Sequence, residues 1–489
     1  MHQRPAQRQR GARRRERPVD AASALLRPLL GGLLGAHVDL ALLDDAALAR
    51  TDVDLLRYLR AVAVEAGAAG PEAVLVGRVG TDDALRALLG LVEGSPAGAV
   101  LQAVIAALPA PVGDLDLGRL FDVDPTDLAR LEQVEVRVLD LLVMLLQLHN
   151  AENVVATPAP VVLSLAGVGG LLELLGLDGA VEGRVGADAE ARVHLQVVEP
   201  PVLTVVNAER LGDPDASFRS AGVRLAVELV GLDLAIDTQT EDGAASGLLD
   251  GLLDLLGVLV GGLVATEVDL TLTDLTVFGE LGAHEGYVES LDLDTGTVTV
   301  RSKGGLAHLH LGEVDPAVFF DRTRTEPVEA GLGTVAELRL SALALGGLLA
   351  DLEARAAVKA KANGSRTLPA SGAVVLSGPF PAAAELSGTG VSDLTSGLLE
   401  DLEIDVDVTI VSQGGLLGGL GVAQLLPPLL TVADGLVSTL LGAVDGVADL
   451  GARLPLGALL DRLLGSPVFD LLGVGVGRHE VAVLELIQP

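Results

Sequence analysis

Apolar residues recur at three- and four-residue spacing over the first part of the chain and at two-residue spacing over much of the rest. The first spacing predicts helices over Ala46–Leu59, Thr81–Val92, Ala97–Leu108 and Thr126–Leu148. Thr51-Asp52-Val53-Asp54 and Asp124-Pro125-Thr126-Asp127 supply short polar side chains that can accept from the free amides of a helix start. Leu139–Leu148 is apolar nearly all round, which predicts a buried helix. From about Pro158 the period becomes two. Arg192–Val198, Gly222–Asp237 and Thr266–Leu272 alternate as half-buried strands do, and Leu306–Leu311 and Ala336–Ala344 continue the pattern. Asp294-Thr295-Gly296, between SLDL and TVTV, predicts a hairpin turn. Leu-rich helical pieces, notably Ser246–Val264, fall between strands. Residues 362–382 read as the most loop-like stretch, 415–464 as short Leu/Gly-rich helices, and Leu472–Ile487 as a strand pair or one long strand.

These elements make the expected class α+β: a helical amino-terminal region, then an antiparallel, mainly β body with Leu-rich helical insertions. The expected divisions are a disordered basic leader over 1–20, a helical region over 21–157, a mainly β domain over 158–361, and a loop followed by a mixed α/β region over 362–489. GLLxxLLG-like motifs recur as low complexity, with no strict repeat.

Composition changes the picture of the core. Of the 489 residues 49% are hydrophobic, enough for two or three domains, yet the chain has no Trp, two Tyr and seven Phe. Cohesion must therefore come from many aliphatic contacts of about 1.5–3 kcal/mol each, without the large rigid surfaces that aromatics supply. There are no cysteines, which excludes disulfides, thiolate zinc sites and cysteine nucleophiles together.

The net charge of −34 argues against nucleic acid as a partner, since phosphate binding needs a cationic face. Seven arginines against Glu16 put +6 on residues 1–17, which leaves −40 on the remainder. That leader is the expected point of membrane contact. No run of about 20 apolar residues comes after it. The longest uncharged stretch, Val408–Ala433, carries Ser412-Gln413, five glycines and Pro427-Pro428, so it is expected to be strand, loop and short helix.

The candidate chemistry is sparse. His308-Leu309-His310 places two imidazoles on one face of a strand, with Glu313 nearby, but a metal would need a third ligand from elsewhere. With Ala307, Leu309 and Leu311 toward the core, the two histidines are expected to face solvent. Asp292-Leu293-Asp294-Thr295-Gly296 has the opening of a calcium loop, yet the twelfth position, which should carry a glutamate, is Lys303; the hairpin reading stands. Gly167-Val168-Gly169-Gly170 meets bulky Leu172 where the third dinucleotide-binding glycine belongs. Glu199-Pro200-Pro201 reads as a rigid end to the strand Val193–Val198. No Walker A sequence, GxSxG elbow or HExxH helix occurs. No catalytic, cofactor-binding or metal-ligating residue is assigned, no cofactor is expected, and the expectation is a non-enzyme.

Several segments resemble the TadG-like proteins of tight-adherence (Flp-type) pilus assembly loci. They are the basic start Arg8-Gln9-Arg10-Gly11-Ala12, the Leu-rich Val53–Leu59, the helix from Val138-Leu139-Asp140-Leu141-Leu142 to its exit His149-Asn150-Ala151-Glu152-Asn153, and above all His194-Leu195-Gln196-Val197-Val198-Glu199-Pro200-Pro201 followed by Ser220-Ala221-Gly222-Val223-Arg224-Leu225. Residues 287–313 resemble the downstream hairpin and strand. The likeness covers residues 22–315 and, more loosely, the carboxy-terminal third. It implies a cell-envelope component exposed outside the cytoplasm, associated with pilus assembly or adherence, with other envelope or pilus-assembly proteins as partners. The family's amino-terminal membrane helix is replaced here by Arg13-Arg14-Arg15-Glu16-Arg17-Pro18. The function expected is thus a non-catalytic structural or interaction protein of the envelope. The alternative is a soluble carrier of lipid or another apolar ligand, enclosed by the aliphatic core.

Overall fold

The computed structural model describes residues 45–106, 108, 113–124, 128–129, 131–132, 134–153, 160–164, 190–207, 209–230, 232–236, 263–272, 275–324, 326–344, 350–367, 372–379, 382–387, 401, 403–414 and 478–483. The expectations for the leader, for 165–189 with its Gly167–Gly170 run, for the helix over 246–262 and for 415–464 lie outside them.

The class is α+β, helical in front and antiparallel behind. Helices α1 (Asp45–Arg50), α2 (Leu55–Glu65), α3 (Pro71–Val76), α4 (Thr81–Leu91), α5 (Pro96–Ala106) and α6 (Val138–Asn153) form the first part. Two of the expected helices are interrupted or shortened by short strands. Ala46–Leu59 is divided by β1 (Asp52–Asp54), and Thr126–Leu148 becomes a helix only at Val138, after β2 (Glu135–Arg137). The cause is a pairing that local pattern does not reveal. β1 and β2 are antiparallel, and the residue before each provides a carbonyl for the first amide of the other's helix: Leu55 N donates to Val134 O at 2.9 Å and Val138 N to Thr51 O at 2.8 Å. Amides that a helix start leaves unpaired are thereby satisfied. Thr81 uses the same device, its amide donating to Gly113 O at 3.0 Å.

Asp54 caps α2, its carboxylate accepting from Arg57 N at 2.7 Å. Replacing it with alanine should cost about 1 kcal/mol in denaturant unfolding, whereas Asp54→Asn should be nearly silent. Leu139–Leu148 is buried nearly all round, as expected: Leu139, Leu141, Leu142, Val143, Leu145, Leu146 and Leu148 are all in the core.

Behind the helices lies a ten-stranded antiparallel sheet. Its strands are β3 (Val161–Ser164), β4 (Glu190–Glu199), β5 (Gly222–Val230), β6 (Leu232–Ile236), β7 (Leu263–Leu272), β8 (Leu275–Leu281), β11 (Leu306–Leu311), β12 (Gly333–Ala344), β13 (Ala350–Thr367) and β16 (Glu403–Gly414). β4 stops at Glu199, immediately before the two prolines. Several strands lie end to end. The register runs without a shift from Leu229↔Leu275 to Leu232↔Leu272, so β5–β6 and β8–β7 are two long neighbours. β13 pairs first with β12 and then with β11, so those two form one line interrupted by residues 312–332. β16 pairs with β13 as well.

The 18-residue β13 and the strand β14 (Gly372–Ser377) correct the loop-like reading of 362–382. Alanine, glycine and asparagine in ANGSRT hide the alternation, but neighbours on the sheet supply the hydrogen bonds that hold this stretch extended. β9 (Glu285–Asp292) and β10 (Thr297–Lys303) form the expected hairpin, extended by β14 and by Ser217–Arg219. Its turn is set by Asp292 Oδ1, which accepts from the amides of Asp294 and Thr295, and by Gly296 at φ 63°. β15 (Ala382–Ser387) pairs with β17 (Arg478–Val483), so the carboxy-terminal strand is observed over six residues.

One face of the near half of the sheet, with Val193, Leu195, Val197, Val223, Leu225, Val227, Leu309 and Leu311, shares a continuous core with the helices.

Candidate functional site

The opposite face of the near half is polar, and register places its residues in two lines. Antiparallel partners run Gln196↔Arg224↔Glu280↔His308↔Ser365 and, two residues along each strand, His194↔Ala226↔Phe278↔His310↔Asn363. Side chains in such a line stand about 5 Å apart. Residues 312–332 fold back over this face as a lobe. Its base is closed by Glu313 and Gly331, each donating its amide to the other's carbonyl at 2.9 Å. Gly312 leaves the strand at φ 122°, where a Cβ would collide with Gly331 O.

The lobe's single-turn helix α7 (Pro316–Phe319) starts at Asp315, whose carboxylate accepts from Ala317 N at 2.8 Å. It carries Phe319 and Phe320 into the interior, where Phe319 meets Phe278 edge-on at 4.9 Å and Phe320 at 5.0 Å. His194 lies 6.2 Å from the Phe320 ring. Three of the chain's seven phenylalanines thus converge on one seam. Aromatic anchoring, scarce elsewhere, is concentrated here.

Beside the rings sits a group of arginines. Arg324 lies 5.7 Å over the Phe319 ring and ion-pairs with Glu280. Arg224, on the sheet, is 3.8 Å from the same carboxylate and donates to Asp321 O at 2.5 Å and Arg324 O at 3.3 Å. Arg322 reaches across to donate to the carbonyl of Asn150, near the end of α6. Burial pushes all three guanidinium groups below their ordinary range, Arg324 to about 10, and mutual repulsion adds to this for Arg322 and Arg324.

Asn150 and Glu152 tie α6 to its surroundings. Asn150 Oδ1 accepts from Val197 N at 2.7 Å, capping an amide on β4. The Glu152 carboxylate accepts from Arg78 at 2.8 Å, Arg119 at 3.1 Å and Asp116 N at 3.2 Å. The helix exit His149–Asn153 and the strand His194–Glu199, some 40 residues apart in the chain, are therefore one hydrogen-bonded joint.

The expectation that His308 and His310 face solvent is corrected. They do share a face, their rings parallel at 6.3 Å, but His310 is buried and bonded through Nδ1 to Asn363 Oδ1 at 2.8 Å, because the lobe covers that side. Glu280 is the acid nearest in register, yet its carboxylate is engaged by two guanidinium groups. Glu313 is exposed on the lobe's base. Among the described residues no three His, Cys, Asp or Glu side chains are grouped to hold a metal ion, and no helix is long and apolar enough to cross a membrane. Sequence reasoning overlooked the lobe, although Phe319-Phe320 beside Arg322 and Arg324 stands out in a chain so poor in phenylalanine and so acidic.

Residues 22–147 match a family described as a domain of unknown function (DUF8293). The matched stretch is about a quarter of the chain; it takes in α1 to α5 and most of α6, and ends before the joint residues Asn150 and Glu152. No curated protein and no solved structure matches the chain.

Burial holds four histidines toward the neutral form: His149, His308, His310 and, pushed down to about 4, His284, whose Nδ1 faces the Gly305 amide at 3.5 Å. A histidine whose folded value lies below 6.5 binds its proton more readily in the unfolded chain. This contribution to stability is complete above pH 6.5 and is lost as pH falls, for His284 down to about 4. Unfolding midpoints measured from pH 7.5 to 4 should fall through this window. His284→Asn, which does not titrate and keeps an acceptor for Gly305, should flatten part of the decline.

Proposed function

We propose that this chain is a non-catalytic structural or interaction protein of the cell envelope, similar to the TadG-like proteins of tight-adherence pilus loci and acting in pilus assembly or adherence through its surfaces. The observation that carries this reading is the joint between His149–Asn153 and His194–Glu199. The segments on which the resemblance rests meet through the bond from Val197 N to Asn150 Oδ1, so they form one spatial unit. The engagement of Glu280 by Arg224 and Arg324 also supports a structural role for the polar face, since a carboxylate held by two guanidinium groups is a poor base. Net charge of −34 keeps such surfaces apart from one another and suits a partner with basic contacts. The test is fractionation and cross-linking of the tagged full chain in its own cells. Recovery with the envelope, cross-linked to pilus-assembly or other envelope proteins, is expected; an entirely cytosolic product without an envelope partner overturns the proposal.

One observation favours the second reading, a carrier of lipid or another apolar ligand. In the far half of the sheet, register gathers Leu234, Leu270, Leu338, Ala356 and Val408 into one line and Ile236, Val268, Leu340, Ala354 and Ile410 into the next. Along β13 these positions alternate in phase with Gly364 and Ala362, the register partners of Leu309 and Leu311, so apolar residue types recur at every second position of the strand's pairing. Native mass spectrometry after gentle extraction separates the readings, since stoichiometric co-purifying lipid is expected only of a carrier.

A further inference from the structure

Among the described residues, every buried side-chain nitrogen or oxygen that lacks a hydrogen bond belongs to the seam beneath the lobe. These atoms are Gln196 Nε2 and Oε1, Arg322 Nε, Arg324 Nε, His310 Nε2 and Glu280 Oε1, the last of which meets its arginines as ion pairs. Buried polar groups are paired in the great majority of cases, so their concentration in one place demands an account. Gln196 is the strongest instance. It is fully buried, on the same face as Arg224, with both ends of its amide unpaired.

Charge points the same way. Arg224, Arg322 and Arg324 bring three positive charges, and Glu280 returns one, leaving a local +2 within a chain of net −34. Asp321 offsets part of this through Arg224, but its carboxylate is exposed and accepts from the amide and hydroxyl of Thr323 at 2.9 and 2.8 Å, so the seam keeps an excess of positive charge. An oxyanion is the group that answers both deficits, since it carries negative charge and several acceptor oxygens.

We propose that the seam binds a single phosphate group, with Arg322 and Arg324 donating through Nε and Gln196 donating through Nε2. A hydrogenphosphate also carries an O–H, which serves Gln196 Oε1; sulfate has no such donor. The site is independent of the envelope reading, and its ligand is free hydrogenphosphate, since a phosphate monoester is at neutral pH a dianion without the O–H that serves Gln196 Oε1.

The test is calorimetric titration of the full chain with inorganic phosphate, sulfate and glycerol phosphate, each at one ionic strength held with sodium chloride. Saturable one-site binding of phosphate is expected, with sulfate about tenfold weaker because it leaves the Gln196 carbonyl unpaired. Glycerol phosphate, whose phosphate has no O–H at neutral pH, is expected to bind about as weakly as sulfate; binding as tight as that of phosphate overturns the role given to Gln196 Oε1. Gln196→Met, close in volume, should fold, lose the preference for phosphate over sulfate and bind phosphate about tenfold more weakly. If that variant fails to fold, Arg322→Gln carries the same test, with about tenfold weaker binding expected. Absence of saturable phosphate binding by the unaltered chain, or undiminished binding by the folded variant, overturns the proposal.

Discussion

Replacing Phe319 with alanine is expected to lower the unfolding free energy by about 3–5 kcal/mol, a cost typical of emptying a fully buried aromatic site. Phe319 is completely buried and touches Phe278, Phe320 and the Arg324 guanidinium. The rings around it cannot close the gap easily, because Phe278 is fixed on β8 and Phe320 packs near His194 on β4. In an aliphatic protein this small aromatic group is the main apolar attachment of the lobe to the sheet. Val318, its half-exposed neighbour, provides the control: Val318→Ala should change stability by less than about 0.5 kcal/mol. Guanidinium unfolding checks the magnitude. Limited trypsin digestion checks the mechanism, since loosening of the lobe should speed cleavage after Arg322 and Arg324 in Phe319→Ala but not in Val318→Ala.

Glu280→Gln should have a comparable effect by a different route. The carboxylate is the one negative partner that Arg224 and Arg324 share within the seam, and its removal leaves two guanidinium groups largely out of water, with only the exposed Asp321 carboxylate to offset Arg224. Breaking a buried ion pair from one side costs about 3–5 kcal/mol; the partial exposure of Glu280 places the expectation near the lower figure. Much of that cost comes from stranding the cations. The double substitution Glu280→Met and Arg324→Met should therefore be less destabilised than Glu280→Gln alone. A double variant at least as unstable as the single one would show that the contact itself, not the stranded charge, dominates.

Both effects arise at a seam whose parts are distant in sequence, and this separates what was legible in the chain from what was not. The alternation in Arg192–Val198, Leu306–Leu311 and Ala336–Ala344 predicts strands that are present, and the first two put an apolar side against the core. The turn at Asp294-Thr295-Gly296 is equally local, since one carboxylate and one glycine suffice to specify it. Leu139–Leu148 is legible as a buried helix because no polar face interrupts it. The start of that helix was not legible. Residues 126–137 carry a helical spacing, but the strand Glu135–Arg137 is held by its pairing with Asp52–Asp54, some 80 positions away.

The chain alone settled its α+β class, its aliphatic interior and its freedom from thiol chemistry, because period, composition and residue count are properties of the sequence itself. Only tertiary structure decided that residues 312–332 cover a polar sheet face, that His310 lies buried beside Asn363, and that Gln196, Arg224 and Glu280 stand in one line. The physical reason is register. Which residues oppose one another depends on pairing between strands separated by long insertions, and a hydrophobic pattern specifies the face a residue occupies without specifying its neighbour across the sheet.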